Sequence, residues 1–166
     1  MISKCDRSFD LDRFGSIDDK DLQIIEALQA NARAPLSELG RRIGLSQPAI
    51  SERVKRLEET GIIEGYGARI NARALGLGMM AIVRLRTSHE HIKSCLKRFS
   101  DVPNIIEVHR VTGEDCFILK VIVPAPEELE TIVDRIAGYG AVTTSVVLRS
   151  EQPRHIGARL IKKKVS

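Results

Sequence analysis

Two groups of residues have types and spacings suited to chemistry. The first is Thr112, Gly113, Glu114, Asp115 and Cys116, inside the run VTGEDCFILK. Glycine permits a tight turn and close approach to the backbone, so N–H groups there can meet a carboxylate. Glu114 or Asp115 can pair with an ammonium group. Taken by itself, however, Gly-Glu-Asp is good material for a plain hairpin turn, and that is the reading the residues alone favour. The second group is Arg41, Arg42, Ser46, Gln47, Pro48, Ser51, Glu52, Lys55 and Arg56. From Arg41 to Arg56 five basic residues stand against one acid, Glu52, while the first 75 residues as a whole hold equal numbers of bases and acids. Short hydrogen-bonding groups suit base edges and cations suit phosphates. The plainer alternative is a solvated charged face.

The second group sits on helical spacing. Asp18 can cap a first helix, with Asp21 three residues on, and Leu22, Ile25, Leu28 and Ala32 recur at helical intervals. Pro35 interrupts, Leu36, Leu39 and Ile43 form a second short stripe, and Gly44 ends it as a C-terminal cap. Ser46 can cap a third helix, in whose first turn Pro48 is tolerated. Its buried stripe is Ile50, Val54 and Leu57, with Gly61 closing it. Stepping about 100° per residue from Ile50 puts Pro48, Ser51, Glu52 and Lys55 on the outer face and Arg56 at its edge. Ile62 to Ile70 has strand character, broken by Gly65 and Gly67 into a small hairpin. Three helices with a tight turn and a wing read as a winged helix-turn-helix for duplex DNA.

The first group sits on a different rhythm. Met79–Thr87 alternates as a strand, and residues 90–100 read as a helix with Ile92, Leu96 and Phe99 on one side. Ile105–Thr112 and Cys116–Val123 are strands around the Gly113 connection. Pro126 opens a helix carrying Leu129, Ile132, Val133 and Ile136, and Val142–Ser150 is the last strand. The βαββαβ order is ferredoxin-like, giving an α+β protein. Cys116 to Val123 is apolar on both faces apart from Lys120, so the face without helices calls for a partner surface. The expected division is an arm at 1–15, the winged helix-turn-helix at 16–70, a hinge at 71–78, the ferredoxin-like unit at 79–150 and a basic tail at 151–166.

Composition narrows the class. At 166 residues and 43% hydrophobic content the chain can bury one or two small cores, and a net charge of +4 singles out neither half. Cys5, Cys95 and Cys116 are odd in number and widely spaced, which offers neither a disulfide framework nor a zinc site and fits a reducing cytoplasm. No signal peptide, membrane span, metal or cofactor is expected. His89 and His91 flank Glu90 without an evident third ligand, and His109 reads as a surface or interface histidine. Cys116 reads as an inert strand thiol, and Arg154–Lys164 as a solvated end able to touch phosphate.

The run IDDKDLQIIEALQANARAPLSELGRRIGLSQPAISERVKRLEETGIIEGYGARIN resembles the DNA-binding domain of the leucine-responsive regulatory protein/AsnC family. The βαββαβ half is similar to that family's amino-acid-binding regulatory domain, and VTGEDCFILK resembles its signature between the second and third strands. The resemblance covers about residues 16–150. It implies a cytoplasmic, nucleoid-associated transcription factor that reads pseudo-palindromic promoter DNA as a homodimer, assembles further to octamers, and responds to a small amino acid at Thr112–Cys116. In the commoner pattern an aspartate and a tyrosine stand where Cys116 and Phe117 stand here, so the effector stays unassigned. Two alternatives remain: a metabolite-binding module without DNA binding, and an enzyme similar to the sirohaem decarboxylases of this fold, to which His109 and Arg110 would belong.

Overall fold

The computed structural model describes residues 17–161; the arm expected at 1–15 lies outside them. Helices α1 (Asp19–Ala30), α2 (Leu36–Ile43) and α3 (Gln47–Glu59) come first. Strand β1 (Met79–Thr87), α4 (Ile92–Ser100), β2 (Ile105–Arg110), β3 (Phe117–Val123), α5 (Pro126–Ala137) and β4 (Gly140–Val146) follow. The chain divides into two compact units, one running to Ala68 and resuming at Pro153, the other spanning Arg69–Gln152.

In the first unit the expected caps set the helices. Asp18 accepts the Asp21 N–H at 2.9 Å while Asp21 accepts the Asp18 N–H at 3.1 Å, a reciprocal box at the start of α1. The helix stops at Ala30, well before Pro35, because Asn31 turns extended and its side chain accepts from Arg33 N–H. Its buried stripe is Leu22, Ile24, Ala27 and Leu28. Ile25 is half-buried and Ala32 lies beyond the helix, so the face is rotated by roughly one position from the expected one. Leu39, Ile43, Ile50, Val54 and Leu57 complete this core.

The expected wing is absent. Ile62 to Ile70 forms no strand; Ile63 N–H donates to Leu57 O at 2.9 Å, which wraps the segment back on α3, and Ile62 and Ile63 pack on the helices. Beyond Gly65 the chain is irregular, because arms of only about three residues around two glycines cannot sustain a ladder. Tyr66 fixes this stretch instead, donating its hydroxyl hydrogen to Glu58 Oε1 at 2.8 Å.

The second unit is a fully antiparallel sheet in the order β2-β3-β1-β4, which is the ferredoxin-like arrangement. Helices α4 and α5 cover the face formed by Ala81, Val83, Leu85, Phe117, Leu119, Val121 and Val123. Phe99 meets Phe117 edge-on at 5.1 Å. Cys95, not Leu96, joins Ile92 and Phe99 in this core. Ile92, Cys95 and Phe99 follow one another at helical intervals on the face toward the sheet, while Leu96 lies at the exposed edge. Strand β4 ends at Val146, leaving Leu148 89% exposed. The segment expected as a hinge carries a 3-10 turn, Ala72–Leu75, whose start Asn71 caps by accepting Ala74 N–H at 3.3 Å. It belongs to the second unit, whose boundary falls at Arg69. Among the described residues no helix is long and apolar enough to cross a membrane.

Candidate nucleic-acid interface and effector loop

The turn between α2 and α3 is built from glycine. Gly44 adopts a left-handed φ of 74°, and the next amide, Leu45 N–H, returns to Gly40 O at 2.8 Å. A Cβ on Gly40 would lie 2.8 Å from Leu45 O and 3.4 Å from the Ile50 side chain, so only glycine lets the helices approach this closely. Gly40 escapes sequence reading because it sits inside a helical stripe, where glycine usually signals nothing. Ser46 accepts Ala49 N–H at 3.4 Å and starts α3, with Pro48 in its first turn.

Helix α3 then presents the expected set. Gln47, Pro48, Glu52, Lys55 and Arg56 are exposed, as are Arg41, Arg42 and Ser46; Ser51 is half-buried. Lys55 reaches Glu59 at 3.7 Å with both side chains about two-thirds exposed (67% and 65%), a pair too wet to hold it. Arg56 differs. Its Nη2 lies 2.6 Å from Asp21 Oδ2, and Asp21 is fully buried. Arg53 joins the same carboxylate at 2.9 Å and Asp18 at 2.7 Å. Arg56 therefore stands on the outer rim but is anchored inward. Sequence reading misses Asp21 and Arg53: the cap already accounts for Asp21, and Arg53 falls off the outer face. Burial pushes the Asp18 carboxyl up, but the Asp21 N–H and the Arg53 guanidinium outweigh it and hold Asp18 below the usual carboxylate range. The same two carboxylates raise Arg53.

The loop in the second unit is closed by Val111 N–H donating to Cys116 O at 3.1 Å, while Cys116 N–H donates to Leu85 O at 2.8 Å. Between them the amides of Thr112 to Asp115 make no hydrogen bond among the described residues. Gly113 takes φ 114°, a conformation side-chain-bearing residues avoid, although a Cβ there would meet open space. Thr112, Gly113 and Glu114 are exposed, and Asp115 and Cys116 are half-buried. Asp115 Oδ2 lies 3.6 Å from Arg84 Nη1, so one of the two acids already has a cation, while Glu114 makes no ion pair among the described residues. Arg84 is a further residue at this site, legible only as an outward position of β1. Cys116 donates its thiol to Thr87 O at 3.2 Å.

The open face of the sheet carries Met80 and Ile82 of β1 opposite Ile122 and Lys120 of β3. Lys120 lies 2.7 Å from Glu107, and His109 lies 3.5 Å from the same carboxylate. The bond from Lys120 leads in holding Glu107 below its ordinary value, against the upward push of burial. Ile106 and Leu148 are exposed beside it.

A helix-turn-helix with a basic outer face, followed by a ferredoxin-like unit with an amide-lined turn, defines a ligand-responsive DNA-binding regulator. Residues 17–58 match the AsnC-type helix-turn-helix domain and residues 80–155 match the Lrp/AsnC ligand binding domain. The chain belongs to the Lrp/AsnC family of helix-turn-helix transcriptional regulators. It is 38% identical over 138 residues to the HTH-type regulator YezC of Bacillus subtilis, covering 81% of this chain and 95% of that one. The structure of LrpC from B. subtilis superposes with a TM-score of 0.79 at 31% identity, covering 84% of this chain and 99% of that one. The regulator NMB0573 from Neisseria meningitidis, solved as a complex with L-Met, shares the fold at 23% identity and a TM-score of 0.79, covering 88% and 100%.

Proposed function

We propose that this regulator binds promoter DNA as a homodimer through α3, and that an amino acid bound at Thr112–Cys116 changes that binding. The observation that carries the DNA half is the division of labour among cations. Arg53 and Arg56 are held by Asp21, while Arg41, Arg42 and Lys55 stand exposed beside Ser46, Gln47, Pro48, Ser51 and Glu52. The exposed cations take phosphates, the short polar groups take base edges, and Arg56 positions α3 from its rim.

The unused amides around Gly113 suit an α-carboxylate and Glu114 suits the α-amine, with Arg84 and Asp115 fixing the far side of the turn. The ligand-bound relative supports an amino acid on this fold without assigning which one. The sheet face around Met80, Ile82, Ile106 and Ile122 supports dimerisation, which would place two α3 helices for a pseudo-palindromic site; assembly to octamers extends the same reading. A cytoplasmic, nucleoid-associated location follows from that role.

A gel-shift assay with the DNA upstream of the protein's own gene, run across a salt series, tests the DNA half. Specific retardation that weakens steeply with salt is expected. Retardation indifferent to sequence and salt would overturn it and favour a metabolite-binding module. A thermal-shift screen of the twenty amino acids tests the other half, since a ligand of the native state raises its stability.

A further inference from the structure

Past β4 the chain returns to the first unit, of which residues from Pro153 onward form part. There the carboxamide of Gln29 grips one residue at both ends: Nε2 donates to Ile156 O at 2.9 Å and Oε1 accepts Ile156 N–H at 2.9 Å. One turn earlier on α1, Glu26 Oε1 accepts Ala158 N–H at 3.0 Å. Residues three apart share a helix face, so Glu26 and Gln29 form one short docking edge. Gly157 lies between the two gripped residues, where a Cβ would come within 3.2 Å of Glu26 Oε1. A 3-10 turn over Ala158–Leu160 follows. Apolar burial does not hold this segment, since Ile156 and Leu160 are 59% and 74% exposed. Side chains gripping backbone hold it, and solvent-exposed bonds of that kind open easily. Residues beyond 155 also lie past the stretch that matches the Lrp/AsnC ligand binding domain.

We infer that Pro153–Ile161 is a releasable strap whose docking edge is Glu26 and Gln29 of α1. The chain enters the second unit at Arg69 and leaves it at Gln152, and the side chains of these two residues are hydrogen-bonded to each other. A docked strap thus leaves a shorter free connection beyond Gln152 than a released one. A DNA-binding unit on a shorter free connection has fewer orientations open to it and tolerates fewer placements of its target. This consequence rests on the DNA-binding dimer proposed above: a docked strap narrows the half-site spacings the dimer accepts, and a released strap widens them.

The test uses the full chain carrying Glu26→Ala and Gln29→Ala together, with circular dichroism to confirm unchanged helicity; Gln29→Ala alone serves if the double variant does not fold. In amide exchange without DNA, Ile156 and Ala158 should exchange at least about tenfold faster in the variant while α3 amides stay the same. Equal rates at Ile156 and Ala158 would overturn the strap. On DNA, two half-sites moved apart by about 5 base pairs, half a helical turn, should lower wild-type affinity at least about tenfold and variant affinity less than about threefold. Equal losses would overturn the role in spacing. If the wild type bound none of these DNAs, the DNA reading itself would fall, and the exchange result alone would decide the strap.

Discussion

Asp21 is fully buried and receives both Arg53 and Arg56, so its removal should disturb the DNA-binding unit more than any exposed charge would. Breaking a buried ion pair from one side costs about 3–5 kcal/mol when the orphaned partner stays buried. Here the partners are not trapped: the Arg53 and Arg56 side chains are 27% and 51% exposed and can turn to water. That relief pulls the electrostatic cost of Asp21→Ala down to about 1–2 kcal/mol, near the value of a hydrogen bond to a charged group. Loss of the carboxylate that accepts Asp18 N–H adds about 1 kcal/mol as a lost cap. The cavity left by a small side chain is minor, and the sum is about 2–3 kcal/mol.

A protein of two compact units need not unfold in one step, so global melting is the wrong reading. Native-state amide exchange resolves each unit in the intact chain. In Asp21→Ala the slowest amides of α1 and α3 should lose about 2–3 kcal/mol of opening free energy, while the slowest of β1 and β3 should not change. Asp21→Asn keeps an acceptor for Asp18 N–H but not the charge, so it should lose about 1–2 kcal/mol. A loss in Asp21→Ala below about 0.5 kcal/mol, the level of an exposed pair, would refute the view that this carboxylate joins α1 to α3.

Other consequences are independent of it. Lys55→Ala should weaken DNA binding across sequences and reduce the slope of log K against log salt by about one unit for each phosphate no longer bound, whereas Arg56→Ala should lower the stability of the first unit as well. Gly113→Ala should strain the loop by about 1–3 kcal/mol through φ alone, since space is open there, and should blunt any amino-acid thermal shift while ligand-free DNA binding persists. Asp18 is held below its unfolded value, so its contribution to α1 should be present above about pH 4 and fade as pH falls through its lowered folded value; exchange of α1 amides against pH in wild type and Asp18→Asn reads this. Tyr66 is raised to about 12 by burial and the Glu58 carboxylate, so in Tyr139→Phe the remaining tyrosine should ionise near that pH by ultraviolet titration, and adding Glu58→Gln should lower its midpoint.

What could be read from the sequence follows from how local each signal is. Asp18, Gly44 and Ser46 act on backbone within a few residues, and their caps appear as expected. The alternation of β1 needs only a period of two and β3 shows as a short apolar run, and the βαββαβ order follows from such local signals. Helical faces are coarser. Neighbours such as Cys95 and Leu96 differ by about 100°, and the register of α4 on the sheet, not hydropathy, put the thiol inside. The wing failed because strand propensity says nothing about whether a partner arm exists. Gly40, Asp21 and the strap lay beyond reach for one shared reason. Each depends on an atom distant in sequence or on backbone, and neither leaves a periodic trace.

The candidate loop at Thr112–Cys116 shows in the sequence as a contiguous glycine and acids, but its electrostatics do not. Two adjacent carboxylates read as two candidate partners for an amine. Arg84, some thirty residues earlier in the chain, takes one of them. The same logic runs through the DNA face, where a set of five cations divides once Asp21 claims Arg53 and Arg56. In each unit a residue of opposite charge, Asp21 among the cations and Arg84 among the acids, selects which charges stay available to a ligand. Net charge over the first 75 residues is zero, and it carries no information about DNA. On the proposed reading, binding falls to the side chains that no buried acid or cation holds among the described residues: Arg41, Arg42 and Lys55, whose pair with Glu59 is exposed, on one unit, and Glu114 and the turn amides on the other. Substituting a claimed residue should therefore act through stability, and substituting an unclaimed one through affinity, which is why paired measurements of both separate the two roles at each of these positions.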